Sequence, residues 1–476
     1  MKRASWLGAA ALVLFTQAGL ATPPTDDQIG EALTKLSAPP AEGQKARPRA
    51  ELAKEAFKDL SLGEATLAQL ERLNQARVFP LLTDQAAAIR TRLAELTGDR
   101  GLDGVKAYEM LLAASSRPTS MDAEGVKAYR TQVATTVAGA LAHPALTEAL
   151  SKEIGLSIVS SIGGVAPEQF KAAGLLPLVE KVLKADLPPR AAMAMVGVFD
   201  TIADDDFGAD RATIDRVRLA VNDAIERSLP ALTAELERAE AALAAVPAGD
   251  EADGQRAAAT SRRDMATRMI QSAGRSMEYL TGAYARGELV GHPAPNIAFT
   301  WSTLGEMATS LSDLKGKVVV LDFWATWCGP CIASFPNIRQ LQARYEGFPV
   351  VILGVTSLQG YHIDQKATDP KNRRIDTKDN PAKEYELMPG FMKDLEMTWA
   401  VAFGETNVFN PQYGVRGIPH VAIIDPAGVV RFRGLHPGGD PAEEAEKIDG
   451  LLKEFKLPMP ASPMPSKNAK DEKPGG

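Results

Sequence analysis

The chain has 476 residues, 45% hydrophobic and 24% charged, which is the balance of a globular protein too long for one ordinary domain. A formal net charge of −7 supplies no basic field for releasing counterions, so nucleic acid is excluded as a partner class. Cysteine occurs only twice, as Cys328 and Cys331, so no disulfide framework beyond that one pair can hold the fold.

Lys2 and Arg3, the short apolar stretch Ala4 to Phe15 and the small residues Gly19-Leu20-Ala21 predict a secretory signal peptide over residues 1–21. The apolar run is too short for a spanning helix, and no later run reaches 18 residues, so no stable membrane span is expected after cleavage. An uncleaved signal anchor is the alternative. The absence of cysteine near the cleavage site excludes a lipoprotein. An exported protein without structural disulfides fits a bacterial periplasm.

Residues 22–45 are rich in Pro and Ala around one short helix, Asp26 to Leu36. From Ala46 to Arg286 the chain turns to Ala, Leu, Glu, Arg and Gln with helical spacing, as in Leu62, Leu67, Leu70 and Leu73. Breaks fall at Gly63, Pro80, Gly98, Pro144, Gly163-Gly164, Pro188-Pro189 and Pro230. The expectation is an all-α domain over 22–286, with roughly eight to eleven helices from Ala46 to Arg286, the last of them a long helix at about 255–286. Gly-Val-Lys-Ala-Tyr occurs at 104–108 and again at 125–129, but no period runs through the region, so a repeat array is not expected. The region carries no identifiable chemistry: no metal cluster, phosphate loop or triad.

Residues 287–456 read differently. A hairpin at 297–313, strand 318–323, helix 330–345 and strand 349–355 are expected. A polar insertion over 357–380 comes next, containing Lys371 to Arg374. It reads as a solvated loop or as a rim for a partner near the site. Helix 381–394, strand 398–403, a short helix near 409–413, strands 420–424 and 429–433 and helix 441–455 complete a mixed α/β sheet flanked by helices. The Pro- and Lys-rich tail over 457–476 is expected to be disordered.

The chemistry sits in Trp327-Cys328-Gly329-Pro330-Cys331, directly after the valine-rich strand. A Cys-x-x-Cys closes too small a loop to stabilise a fold, so its use is a dithiol that opens and closes. A strand that delivers the pair to a helix start puts the first sulfur among free N–H groups, which favour thiolate. Cys328 is the expected attacking sulfur, nearer the solvent, and Cys331 the resolving one. Half a zinc site lacks histidines at ligand spacing, and a c-type haem site would need His where Ile332 stands. Strand alternation puts Val318, Val320 and Asp322 on one face. A carboxylate there has a raised pKa and can take the proton that Cys331 must lose.

These residues resemble the thioredoxin superfamily, and within it the TlpA/ResA-type thiol-disulfide oxidoreductases of bacterial envelopes. The matching stretches are Gly291 to Pro295, Leu311 to Lys317, Phe323 to Cys331 with Phe335-Pro336, Tyr413 to Pro419, and Ile424-Asp425 with Gly428. The resemblance covers residues 289–456. It implies a thioredoxin-like fold, no cofactor, disulfide-containing protein clients and an electron-donating thiol-disulfide partner. It places a cis-proline at Pro419 beside the cysteines, with the backbone of Ile418 pairing with the client chain and Trp327 giving apolar contact. In thioredoxins an Asp stands where Asp322 does, whereas many TlpA-like proteins differ there. The Gly329-Pro330 dipeptide, shared with thioredoxin, implies a reductant rather than a strong oxidant. His420, where relatives often carry Thr, either tunes the thiols or points away along its strand. The expected function is an exported reductase of protein disulfides. Two alternatives stand: a client-binding helical protein with a regulatory redox domain, and a peroxiredoxin-like thiol peroxidase. The second lacks the Thr that such enzymes place three residues before the cysteine, since Ala325 is there.

Overall fold

The computed structural model describes residues 22–39, 46–115, 122–247, 252–369 and 372–466. The expected signal peptide, Lys371 and the last ten residues of the expected tail lie outside the described residues. The chain divides after Gly208 into two compact units.

The first unit is helical, running among the described residues from α1 (Asp26–Ser37) to α12 (Val196–Ala203). Thr25 and Thr66 each close a capping box with the glutamine three residues on, Gln28 and Gln69, which satisfies two orphan N–H groups at each helix start. Ile29, Phe57, Leu62, Leu70, Leu73 and Leu93 meet in one apolar core. Thirteen α-helices lie between Arg49 and Thr281 among the described residues, more than the eight to eleven expected. The excess consists of short pieces such as Leu146–Ser151, Pro167–Ala172 and Pro189–Ala194, which are shorter than the window in which a helical period can be read.

The second unit opens with two long antiparallel helices, α13 (Arg211–Ala244) and α14 (Asp253–Thr281). Pro230, expected as a break, lies inside α13. The expected boundary near 287 therefore falls within this unit. The end of α14 is tied to a loop far along the chain: Gln412 accepts from Ala283 N–H at 3.0 Å through its side chain and from Tyr284 N–H at 3.2 Å through its carbonyl.

The main sheet of this unit is built from six strands: β1 (Phe299–Ser302), β2 (Val318–Phe323), β3 (Val350–Thr356), β6 (Ala400–Gly404), β7 (His420–Ile424) and β8 (Val430–Leu435). Between β3 and β6 the short strands β4 (Tyr361–Ile363) and β5 (Arg374–Asp376) form a separate pair. The order across the main sheet is β1-β6-β3-β2-β7-β8. The neighbours β2, β3 and β6 run parallel, while β1, β7 and β8 join antiparallel. The helices α15 (Gly329–Arg344), α16 (Ala382–Asp394) and α17 (Pro441–Glu454) flank it. Central β2 is buried along its whole length, Asp322 included, as a central strand covered on both faces requires.

Three local expectations change. The region expected as a hairpin at 297–313 holds one strand, β1, paired with β6, and a single bridge from Ala298 to Ser310. Residues 409–413 form turns rather than a helix, since Asn410 and its neighbours bond locally to their own backbone. Residues 457–466 are irregular yet held: Leu457 and Met464 pack on the core beside α15 and α17, and Arg344 donates to Ser462 O at 2.8 Å.

Candidate active site

The dithiol lies where β2 ends and α15 begins. Cys328 is the N-cap of α15, and Cys331 N–H donates to its Sγ at 3.2 Å. The two sulfurs are joined as a disulfide. Cys328 is 2% exposed and Cys331 fully buried, so the difference in solvent access that marks the attacking sulfur is small in this oxidised state. Pro330 falls in the first turn, where its missing N–H costs no helix bond. Ile418 is followed by a cis peptide bond to Pro419, and its carbonyl oxygen stands 3.7 Å from Cys328 Sγ. The sequence-expected pair, Cys328 and Ile418, therefore meets across 90 residues of chain.

Trp327 is half-buried beside the pair. Its Nε1 donates to Gln359 Oε1 at 2.9 Å, and its ring lies 6.3 Å from that of Phe409. Gln359 belongs to the insertion, which carries the small antiparallel pair of β4 and β5. Buried Glu384 on α16 ties that insertion down by accepting from the backbone N–H groups of Gln359 and Gly360 and from Thr377 Oγ1. Gln365 Nε2 donates to Thr326 O at 2.8 Å, which fixes the other side of the insertion to the loop before the cysteines. The insertion thus borders the site. Neither Gln359 nor Glu384 is legible from sequence as a tie, because the contacts that matter join separate segments of chain.

Asp322 shares the face of β2 with Val318 and Val320, the face that packs with Cys328, Cys331 and the helices α15 and α17. Its two carboxylate oxygens are buried without a hydrogen-bond partner. Burial, and after it the nearby Glu444, pushes its pKa up to about 7. Glu444 on α17 is itself buried and likewise pushed up to about 7, first by burial. A second carboxyl in this environment is not an expectation of the sequence, since Glu443-Glu444 reads there as an ordinary acidic first turn of a helix.

His420 takes the other face. It opens β7 opposite Phe323, with the rings edge to face at 6.0 Å, and alternates with Ala422 and Ile424 toward the second core. Burial first, then the Arg433 charge, hold its pKa down to about 3. The structure brings Cys328, Cys331, Asp322, Trp327, Ile418 and Pro419 to one end of the sheet and leaves His420 off the sulfur face. Among the described residues no group of three or more His, Cys, Asp or Glu side chains is arranged to hold a metal ion. No helix among them is long and apolar enough to cross a membrane.

A sheet with β2 feeding a Cys-Gly-Pro-Cys helix start, opposed by a cis-proline loop, defines a thioredoxin-like thiol-disulfide oxidoreductase. The family profile described as Redoxin matches residues 289–452. The thiol-disulfide oxidoreductase ResA of Oceanobacillus iheyensis is 42% identical over 143 residues, 30% of this chain and 62% of that protein. ResA of Bacillus thuringiensis strain Al Hakam is 30% identical over 166 residues, 35% of this chain and 78% of that protein. A solved structure of a putative thiol:disulfide interchange protein DsbE from Chlorobium tepidum is 30% identical. It covers 34% of this chain and 94% of that one, with a TM-score of 0.24. The chain belongs, through its C-terminal third, to the ResA-like thiol-disulfide oxidoreductases of the thioredoxin superfamily.

Proposed function

We propose that the protein is an exported reductase of protein disulfides, with Cys328 as nucleophile, Cys331 as resolving thiol and Asp322 as the proton acceptor. The observation that carries this reading is the helix start itself: Cys328 Sγ already accepts the Cys331 N–H, so charge on that sulfur is stabilised by a donor in place. The Cys328 thiolate attacks one sulfur of a client disulfide. A new S–S bond forms to Cys328 and the other client sulfur leaves as a thiolate that takes up a proton. Cys331 then gives its proton to the Asp322 carboxylate and attacks Cys328 Sγ. The mixed disulfide breaks, the second client thiolate leaves, and the Cys328–Cys331 disulfide remains. Two electrons pass from the dithiol to the client, and a thiol donor must return them. The Ile418 carbonyl, beside Sγ, accepts an N–H from the client chain, and Trp327 covers the sulfur with apolar surface.

The protein with Cys331→Ala cannot resolve and should accumulate client proteins joined to Cys328, released by a reducing agent. The intact protein should reduce insulin. Recovery of no mixed disulfides, together with no insulin reduction, would refute the reading. Export and a periplasmic address belong to the same proposal and rest on residues 1–21. Cell fractionation tests them.

A further inference from the structure

A cavity of about 410 Å³ opens between α14 and the segment 407–416 that leads to Ile418. One wall is α14, which lies outside the matched residues 289–452 and presents Arg275, Ser276 and Tyr279. The other holds Phe409 and Arg416. Two contacts join this cavity to the sulfur site. Phe409 is the ring that packs against Trp327. Arg416 stands two residues before Ile418, whose carbonyl touches Cys328 Sγ. A chain lying antiparallel along 416–418 with its cysteine at Cys328 therefore runs on into the cavity within two or three residues, at about 3.3 Å per residue.

The walls carry unequal charge. Of the charged residues lining the cavity, Arg275 and Arg416 are basic and exposed, and Glu278 is acidic. The Arg416 guanidinium lies 5.4 Å above the Tyr279 ring, which fixes its direction. Arg268, two helical turns before Arg275, continues the positive stripe along α14. The α14 wall is not free to swing away. Gln412 holds both Ala283 and Tyr284, and Gly414, at φ +67°, lets the Tyr284 ring approach to where a Cβ would sit 2.6 Å from it.

We infer that this groove is the client-specificity site: it takes the extended segment of a client next to its disulfide cysteine, and selects segments carrying Asp or Glu. The inference rests on the reductase reading above. It assigns a role in client choice to a helix that the resemblance does not cover. The sulfur chemistry is common to all clients, and the arginines bias which of them reach it.

The test uses the full chain, reduced, with two synthetic peptides. Each carries one cysteine in a mixed disulfide with thionitrobenzoate, flanked by three Glu in one peptide and three Lys in the other. Release of thionitrobenzoate gives kcat/KM, and each value is divided by that for hydroxyethyl disulfide with the same protein. Two exposed arginines predict a preference of about fivefold for the acidic peptide, falling as salt rises. Arg275→Glu should bring the acidic-to-basic ratio to about one or below, and Arg275→Lys should retain the preference. Equal ratios in the unaltered protein, or an unchanged preference in Arg275→Glu, would overturn the groove while leaving the reductase standing. No reduction of hydroxyethyl disulfide would overturn both.

Discussion

Replacing Asp322 by Asn separates the proton chemistry of the site from its packing. The carboxyl is 1% exposed, and its pKa rises from 3.8 to about 7 on folding, chiefly through burial. Below pH 4 it is protonated in both the folded and the unfolded chain and costs nothing. Between pH 4 and pH 7 the unfolded carboxyl ionises and the folded one does not, so the native state loses stability as pH rises. The rise from 3.8 to about 7, at about 1.36 kcal/mol per tenfold change in proton affinity, amounts to about 4 kcal/mol by pH 8. Asn is nearly isosteric and cannot ionise. The stability of Asp322→Asn relative to the unaltered protein should therefore climb by up to about 4 kcal/mol between pH 4 and pH 8, read as urea midpoints of the oxidised proteins. Insulin turnover should move the opposite way, falling roughly 10²-fold near neutral pH and recovering above about pH 9, where Cys331 ionises unaided. A stability difference that does not change with pH would refute the buried-carboxyl argument. An unaltered pH–rate profile would refute the role of Asp322 as proton acceptor.

Alkylation of the reduced protein at pH 7 should label Cys328 before Cys331, by mass spectrometry of the tryptic peptides, because Cys328 is the N-cap and Cys331 lies one turn inside the helix. Gly354→Ala places a Cβ 2.8 Å from Trp324 Nε1 and 3.1 Å from Trp399 Nε1 in the core under the site, and should cost about 1–3 kcal/mol in urea unfolding. Residues 209–466 should fold and reduce hydroxyethyl disulfide. The shorter piece 289–466 loses Tyr279 and Tyr284 from against Arg416 and Arg433, and should be less stable by about 3 kcal/mol. Equal urea midpoints for the two pieces would show that α13 and α14 contribute nothing to the redox fold.

The parts of this fold legible in the sequence are those whose cause is local. The run Val318 to Phe323 opens with three β-branched valines and is apolar apart from Asp322, and the strand occupies those residues. The helix after Cys328 has its cap and its proline in the sequence itself. Alternation along β2 is enough to put Asp322 on the face of the helices, and alternation along β7 takes His420 to the opposite face. The parts that are not legible are set by contacts distant in sequence. Glu384 reads as one acidic residue of an amphipathic helix, and only the folded chain shows three donors converging on it from 359, 360 and 377. Glu444 is the same case, an ordinary first-turn acid that tertiary packing buries near Asp322. Pro230 misleads in the other direction: a missing N–H is a local penalty of about 3 kcal/mol, which the packing of a 34-residue helix against its partner outweighs.

The domain boundary obeys the same logic. A change of composition near 287 marks where helix-forming residues stop, whereas the break in contacts comes after Gly208. The helices α13 and α14 pair along their lengths, and Arg211 and Arg218 on the first donate to Ala285 O and Leu280 O at the end of the second. Those carbonyls sit at or just beyond a helix C-terminus, where backbone acceptors lack partners and a guanidinium is the fitting donor. The hairpin is thereby closed at the end that faces Gln412 and Gly414 in the turns before β7 and Arg433 of β8. A helix pair anchored this way presents a rigid wall a few residues from the cis-proline loop, and a rigid wall can discriminate between clients because it does not yield to the wrong one.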